Sequence, residues 1–307
     1  MEVSTSQATA AVIVAHQSTQ GLADCVGGIK RQVTQLILVL NGPIQDREHL
    51  HINEPTLITV DNDVNLGIAK ALNQGFQAAR ENGFSEVVAL DQDSRAQPDM
   101  VEVLRATREG QDSHRRSTAI VAPFVREVLS GAEARYLVPA RPVGYRRQSC
   151  LPGEARPVTI VINSGALYDL ELHRVLGGFR EDYFIDYVDT EYCLRARRAG
   201  YEILVACDAK LHHRWGNARQ MSILGLSTRP TFHSPLRWYY ISRNRIPTIR
   251  AYGLRFPHWL LFDLTMAVWW FVRMLLLEDH RLRKVRAAVL GTWDGLLGRM
   301  GPCRRTI

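Results

Sequence analysis

The chain has 307 residues, 46% of them hydrophobic and 22% charged, which excludes a disordered or fibrous chain and allows one large domain or two modest ones. A formal charge of +7 favours acidic partners such as nucleotides, nucleic acid or an anionic membrane surface, without choosing among them. Five scattered cysteines with no CxxC pair suggest neither a zinc site nor a disulfide framework, so reduced thiols are expected.

The amino terminus, MEVSTSQATA, has no basic stretch running into an apolar one. No secretory signal is expected, and the location is read as cytoplasmic. Ala11–Ala15 reads as a buried strand and Gln20–Arg31 as a helix. Leu36–Leu40 is a second strand, closed by the turn Asn41-Gly42-Pro43. Leu57–Val60 is a third. Ile68–Glu81 follows as a helix, with Gly83 placed to end it, and Glu86–Leu90 is a fourth strand. Apolar strands separated by helices predict an α/β fold whose sheet is covered on both faces. Ligands of such sheets sit at the carboxyl ends of the strands. His16, Asn41, Asp61–Asn65 and Asp91–Ser94 collect there.

Residues 127–156 are rich in arginine, proline and glycine and read as a loop or variable hairpin. Thr159–Ile162 reads as a strand, Asp189–Gly200 as a helix, and Glu202–Ala206 as a strand leading to His212 and His213.

Four segments carry chemistry. In Asp91-Gln92-Asp93-Ser94, two carboxylates one residue apart at a strand end can hold a hard divalent cation, magnesium or manganese, which would stabilise a diphosphate leaving group. The same residues suit a plain turn, with Pro98 marking a helix start. Asn65-Leu66-Gly67 precedes a helix of small residues that can pack close to the sheet with its amino end open to an anion; a tight turn and ordinary helix packing are the simpler account. In Asp186–Arg195, Asp189 stands at a helix start, as a cap or as a general base for an acceptor hydroxyl. In His212–Asn217, His213 is a further metal ligand, a diphosphate contact or merely structural, and Arg214 is a charge clamp.

Taken in order, the Asn-Gly turn, NLGIAKALNQG, LDQDS, INSG, FIDYVDTEYCLR and HHRWGN resemble the family 2 glycosyltransferases. Within them the chain is most similar to bacterial rhamnosyltransferases of O-antigen and surface polysaccharide biosynthesis, over roughly residues 10 to 250; Trp238–Asn244 adds to this. The resemblance implies a glycosyltransferase A-type fold, a doubly wound mixed sheet, with a partly hydrophobic helical extension at the carboxyl end. It implies dTDP-L-rhamnose as donor, magnesium or manganese, and inversion at the anomeric carbon. Asp93 would be the main metal ligand, joined by Asp91 and His213, with Asp91 also facing the donor. Asp189 matches the catalytic carboxylate and Glu191 is its neighbour in the motif. Asn65 and Gly67 match the donor turn, Asn41 and Arg214 join the donor side, and Asn163, Ser164 and Gly165 match the acceptor-side loop. Two strand ends depart from the family pattern: Ala15-His16-Gln17 stands for a Thr-Tyr-Asn-like stretch, and Leu40-Asn41 for Asp-Asn. Both lie near the nucleotide base in the family.

Residues 1–220 are expected to form the catalytic domain and 221–307 the extension. Phe256–Leu277 is nearly all apolar and long enough to span a bilayer, but Asp263 and Arg273 make a simple span costly. An amphipathic pair on the inner membrane face, next to Arg281, Arg283, Lys284 and Arg286, suits a polyprenyl-linked acceptor. A core helix, a homodimer helix and a true span are the alternatives. A UDP- or GDP-sugar donor, a sugar-nucleotidyltransferase and a non-catalytic membrane scaffold also compete. The second lacks a glycine- and arginine-rich phosphate loop near the first strand. The third leaves Asp91, Asp93, Asp189 and His213 without a purpose. Nucleic-acid binding is not expected, because the basic residues are dispersed.

Overall fold

The computed structural model describes residues 8–45, 57–112, 117–128, 130–214, 221–223, 226–228, 230 and 232–307. Trp215, Gly216 and Asn217 of the HHRWGN motif lie outside the described residues. In chain order the elements are β1 (Thr9–Gln17), α1 (Leu22–Ile29), β2 (Gln35–Ile44), β3 (Ile58–Asn62), α2 (Ile68–Glu81), β4 (Glu86–Asp91), β5 (Arg95–Ala96) and α3 (Met100–Asp112). Then come β6 (Thr118–Glu127), the hairpin β7 (Tyr136–Ala140) and β8 (Gly144–Gln148), β9 (Ala155–Pro157), β10 (Leu167–Asp169), α4 (Leu170–Val175), α5 (Val188–Arg198) and β11 (Glu202–His213). The short strands β12 (Met221–Ile223) and β13 (Leu226–Thr228) precede three helices, α6 (Pro235–Tyr252), α7 (Pro257–Leu277) and α8 (Arg281–Leu296).

Among the described residues the central sheet runs β3-β2-β1-β4-β10-β6-β11-β5, with β9 also paired to β11. β1 is parallel to β2 and β4, whereas β10 runs antiparallel between β4 and β6. The sheet is therefore mixed. Because side chains alternate along a strand, Val12, Val39 and Val87 pack with Leu72 and Phe76 on one face. Ile13, Leu38 and Leu90 pack with Leu22, Ile29 and Leu104 on the other. Both faces are buried, which is why these strands read as unbroken apolar runs. Helix α2 does approach the sheet closely: a Cβ on Gly75 would lie 2.3 Å from Val12 Cγ1.

Three expectations need correction. Asn41-Gly42-Pro43 does not end β2, which continues to Ile44 and pairs it with Gln17. Thr159–Ile162 is not a strand; Val158 and Thr159 donate to the carbonyls of Ile203 and Leu137 in turn, so the segment crosses between two strands instead of following one. The cysteines are not all free: Cys150 and Cys207 form a disulfide, with Cα atoms 5.3 Å apart. Pairing of β9 with β11 brings residues 57 apart in sequence together, which no spacing rule reveals.

The last helices close on this body. A Cβ on Gly291 of α8 would stand 2.2 Å from the Tyr239 carbonyl of α6, so the two backbones touch. Helix α7 is long and apolar enough to cross a membrane, with mean hydropathy 1.8. Its inward side buries Trp259, Asp263 and Met274. Its outward side exposes Leu261, Leu264, Val268, Val272 and Leu275, spaced three or four apart, with Trp269 and Leu276 beside them.

Candidate active site

Strand β4 ends at Asp91, and the chain turns at once through Gln92 and Asp93 to the buried Ser94. Ser164, also buried, braces this turn: its hydroxyl accepts from the Asp91 backbone N–H at 3.2 Å and hydrogen-bonds the Ser94 hydroxyl. Strand β11 runs beside β6 as far as His213, opposite Glu127, and so delivers the imidazole to the same turn. His213 Nδ1 lies 3.0 Å from Ser94 Oγ and 3.3 Å from Asp93 Oδ1, while Nε2 lies 3.8 Å from Asp91 Oδ2. One ligand atom from each of Asp91, Asp93 and His213 falls within 4.8 Å of the others. Two carboxylate oxygens and an imidazole nitrogen are a donor set for a divalent ion, and 44% and 38% of the two aspartate side chains stay accessible.

The electrostatics agree with a cation site. Although Asp91 keeps an open side, the protein packed around it strips enough water to raise its carboxyl and Asp93 adds to this, against the pull of His213 and Arg237. Burial opposes a charged His213, but its hydrogen bond to Asp93 and the charges of Asp91, Asp93 and Glu127 outweigh it, so its proton is held more tightly than usual.

Asp189 stands in the first turn of α5 and accepts from the Thr190 N–H at 2.7 Å. Burial, with Asp186 and Asp91 adding, pushes its carboxyl up to about 6. The approach to Asp189 is strained: Phe184, Asp186 and Tyr187 have φ of 66°, 62° and 63°, left-handed values that cost roughly 1–3 kcal/mol each. Helix α6 holds this loop. Asn244 Nδ2 donates to the carbonyls of Tyr183, Ile185 and Asp186 at 2.9, 2.8 and 2.8 Å. The buried Arg243 donates to the carbonyls of Asp182 and Tyr183, and Arg237 grips the Asp186 carboxylate with two donors.

Glu191 points elsewhere. Only 1% of it is accessible, and its oxygens accept from Arg195 at 2.9 Å and Tyr252 at 2.7 Å. It ties α5 to α6, so of the expected pair only Asp189 is partly exposed. Ser164 and Gly165 are likewise buried beneath the aspartates, with Pro123 Cγ 2.7 Å from where a Gly165 Cβ would be, while Asn163 is half-buried and its Oδ1 accepts from the Tyr168 hydroxyl at 2.5 Å.

On the donor side, Asn41 Nδ2 donates to Asn65 Oδ1 at 3.1 Å, and His16 Nδ1 lies 2.8 Å from the Asn41 carbonyl. The N–H groups of Leu66, Gly67 and Ile68 go to Asn41, Asn65 and the Phe184 carbonyl. The turn into α2 is therefore held by protein acceptors as far as Ile68. Gly67 permits this: a Cβ there would stand 2.6 Å from the Phe184 oxygen. Arg214 follows His213 and is exposed. Arg237 was not singled out from sequence, yet its proton is held tightly by Asp186, Asp189 and Asp91 despite burial. Ser234-Pro235, a capped helix start directly before it, was the available signal.

Residues 10–126 match the family model Glycosyl transferase family 2. Over that stretch the chain carries a family 2 glycosyltransferase match. It is rhamnosyltransferase-like: over 245 residues it is 26% identical to the dTDP-rhamnosyl transferase RfbF of Shigella flexneri, covering 77% of each chain. Among solved structures the transferase is similar to S. aureus TarS 1-349, at TM-score 0.58 and 15% identity over 95% of this chain and 82% of that one. It is also similar to GalNAc-T7 with UDP, GalNAc and Mn2+, at TM-score 0.57 and 14% identity over 80% of this chain but only 48% of that one. At these identities the structural likeness establishes the fold.

Proposed function

We propose that this transferase moves L-rhamnose from dTDP-L-rhamnose, with inversion, onto a glycan or polyprenyl-linked acceptor in bacterial surface polysaccharide synthesis, such as that of O-antigen. The observation that carries the reading is the Asp91-Asp93-His213 cluster within 4.8 Å, with a carboxyl raised to about 6, Asp189, inside its electrostatic field. The donor is supported by the relative named for dTDP-rhamnosyl transfer.

Asp93, Asp91 and His213 would hold magnesium or manganese, which neutralises the departing diphosphate. Asp189 takes the proton of the acceptor hydroxyl. The hydroxyl oxygen bonds to the anomeric carbon on one face as the carbon–oxygen bond to the diphosphate breaks on the other. Asn41, Asn65 and Gly67 shape the nucleotide side, Asn163 stands toward the acceptor, and Arg214 and Arg237 supply positive charge. Residues 1–220 form the catalytic domain and 221–307 the extension. The exposed stripe of α7, flanked by exposed Arg281, Arg283 and Arg286, lies in the plane of the inner membrane surface. A span would strip the buried Asp263 from its partner Arg245, 2.9 Å away.

The test is transfer from dTDP-L-rhamnose with manganese, followed by nuclear magnetic resonance of the product. A rhamnoside of opposite anomeric configuration to the donor is expected. Retained configuration overturns the mechanism, and turnover only with a UDP- or GDP-sugar overturns the donor.

A further inference from the structure

Asp263 is the one charged residue of helix α7 that is buried as a whole, while His258 on the same helix reaches Thr159. The Asp263 carboxylate accepts from the Tyr187 hydroxyl, and Arg245 Nε donates to Asp263 Oδ2 at 2.9 Å and to the Tyr187 oxygen at 2.8 Å. Each of the three groups therefore engages the other two. Tyr187 is the left-handed residue at the start of α5, two positions before Asp189. Its ring is fixed by this cluster, and its carbonyl accepts the first helical bond, from the Glu191 N–H at 2.8 Å.

We propose that Asp263 is a positioning residue for Asp189, acting through Arg245 and Tyr187, so that the inner side of the apolar helix is part of the catalytic apparatus. This rests on the reading of Asp189 as the base. A buried ion pair is a poor device for holding a helix down, because apolar residues of similar volume do so at least as well. It is a good device for fixing one hydroxyl in direction, since a charged donor and a charged acceptor meet it from two sides. A free Tyr187 ring lets a strained turn relax, and Asp189 moves with the first turn of α5. A displacement of about 1 Å at a base costs on the order of 100-fold in rate.

The experiment uses the full chain, manganese, and dTDP released from dTDP-L-rhamnose with water as acceptor. Asp263→Asn and Tyr187→Phe should each lower kcat about tenfold or more, with donor KM within about twofold and one donor bound per chain by calorimetry. The double variant should lose no more than either single one. Tyr145→Phe, which removes the hydroxyl that reaches Thr265 on the same helix at 3.0 Å, should leave kcat unchanged. Amide exchange at Glu191 should quicken about tenfold in Asp263→Asn and not in Tyr145→Phe. Asp263→Leu with Arg245→Met, free of buried charge, guards against a variant that fails to fold; it should melt near the wild type and still lose turnover. Unchanged kcat or unchanged exchange at Glu191, with only the melting temperature lowered, overturns the proposal. A wild-type enzyme that releases no dTDP overturns the donor reading instead, and the exchange measurement then decides the positioning role.

Discussion

His213 Nδ1 lies 3.3 Å from Asp93 Oδ1, joining residues 120 positions apart at the open end of the sheet. The contact exists because β11 runs the full length of its neighbour β6 and ends level with the turn after β4. Asp93→Ala should therefore abolish metal-dependent turnover, by more than about 100-fold, with the circular dichroism spectrum unchanged. His213→Ala should weaken manganese binding by about tenfold, read by calorimetry without donor. Manganese affinity unaltered in both variants contradicts the assignment.

Asp189→Asn should reduce turnover by about 100- to 10,000-fold and leave donor affinity in place. If most activity survives, Asp189 is not the base. Glu191 is then an unsuitable substitute, because it is buried against Arg195 and Tyr252.

The raised carboxyl of Asp189 also sets a pH dependence. Folded, it titrates at about 6; unfolded, it returns to the ordinary value of 3.8. Between those values the folded chain binds more proton than the unfolded one, so this group's contribution to stability falls as pH rises from about 4 to 6. Asp189→Asn should accordingly melt about 2 °C higher than the wild type at pH 8, with the difference shrinking below pH 6. Wild-type turnover should fall with an acid limb near pH 6, where the base becomes protonated. An acid limb near pH 4 contradicts a raised carboxyl at the base.

How much of this was legible in the sequence depends on distance along the chain. Helix 68–81 appears with its expected bounds, because glycines at 67 and 83 flank a strongly patterned run. Asp91 and Asp93 were visible because a strand end and a ligand pair fall within eight residues. Glu191 shared the motif of Asp189, but two residues further along the helix it faces inward to Arg195. The clamp on the acidic loop was illegible: Asn244 bonds the Tyr183 carbonyl 61 residues away, and side-chain-to-carbonyl bonds leave no periodicity. Cys150 and Cys207 were hidden for the same reason.

That clamp makes Asn244→Ala a stability variant first. Its amide serves three carbonyls of a strained loop, and their loss should cost about 3 kcal/mol in urea unfolding. A loss below about 0.5 kcal/mol would show that the loop holds its shape unaided.

The outward stripe of α7 gives a separable prediction. Trp269→Ser with Leu276→Ser, both on the exposed side, should reduce sedimentation with phosphatidylglycerol vesicles by about tenfold and leave soluble turnover intact. Equal sedimentation of both proteins, or a dimer of the wild type that the variant lacks, removes the membrane reading.

The most direct test of the central claim is calorimetric titration of the transferase with dTDP, UDP and GDP, each with and without manganese, alongside Asp93→Ala. The expected result is binding of dTDP in preference to the others, dependent on manganese and lost in the variant. Binding that ignores manganese and survives Asp93→Ala, or no binding of any nucleotide, contradicts a metal-assisted sugar transfer at this site.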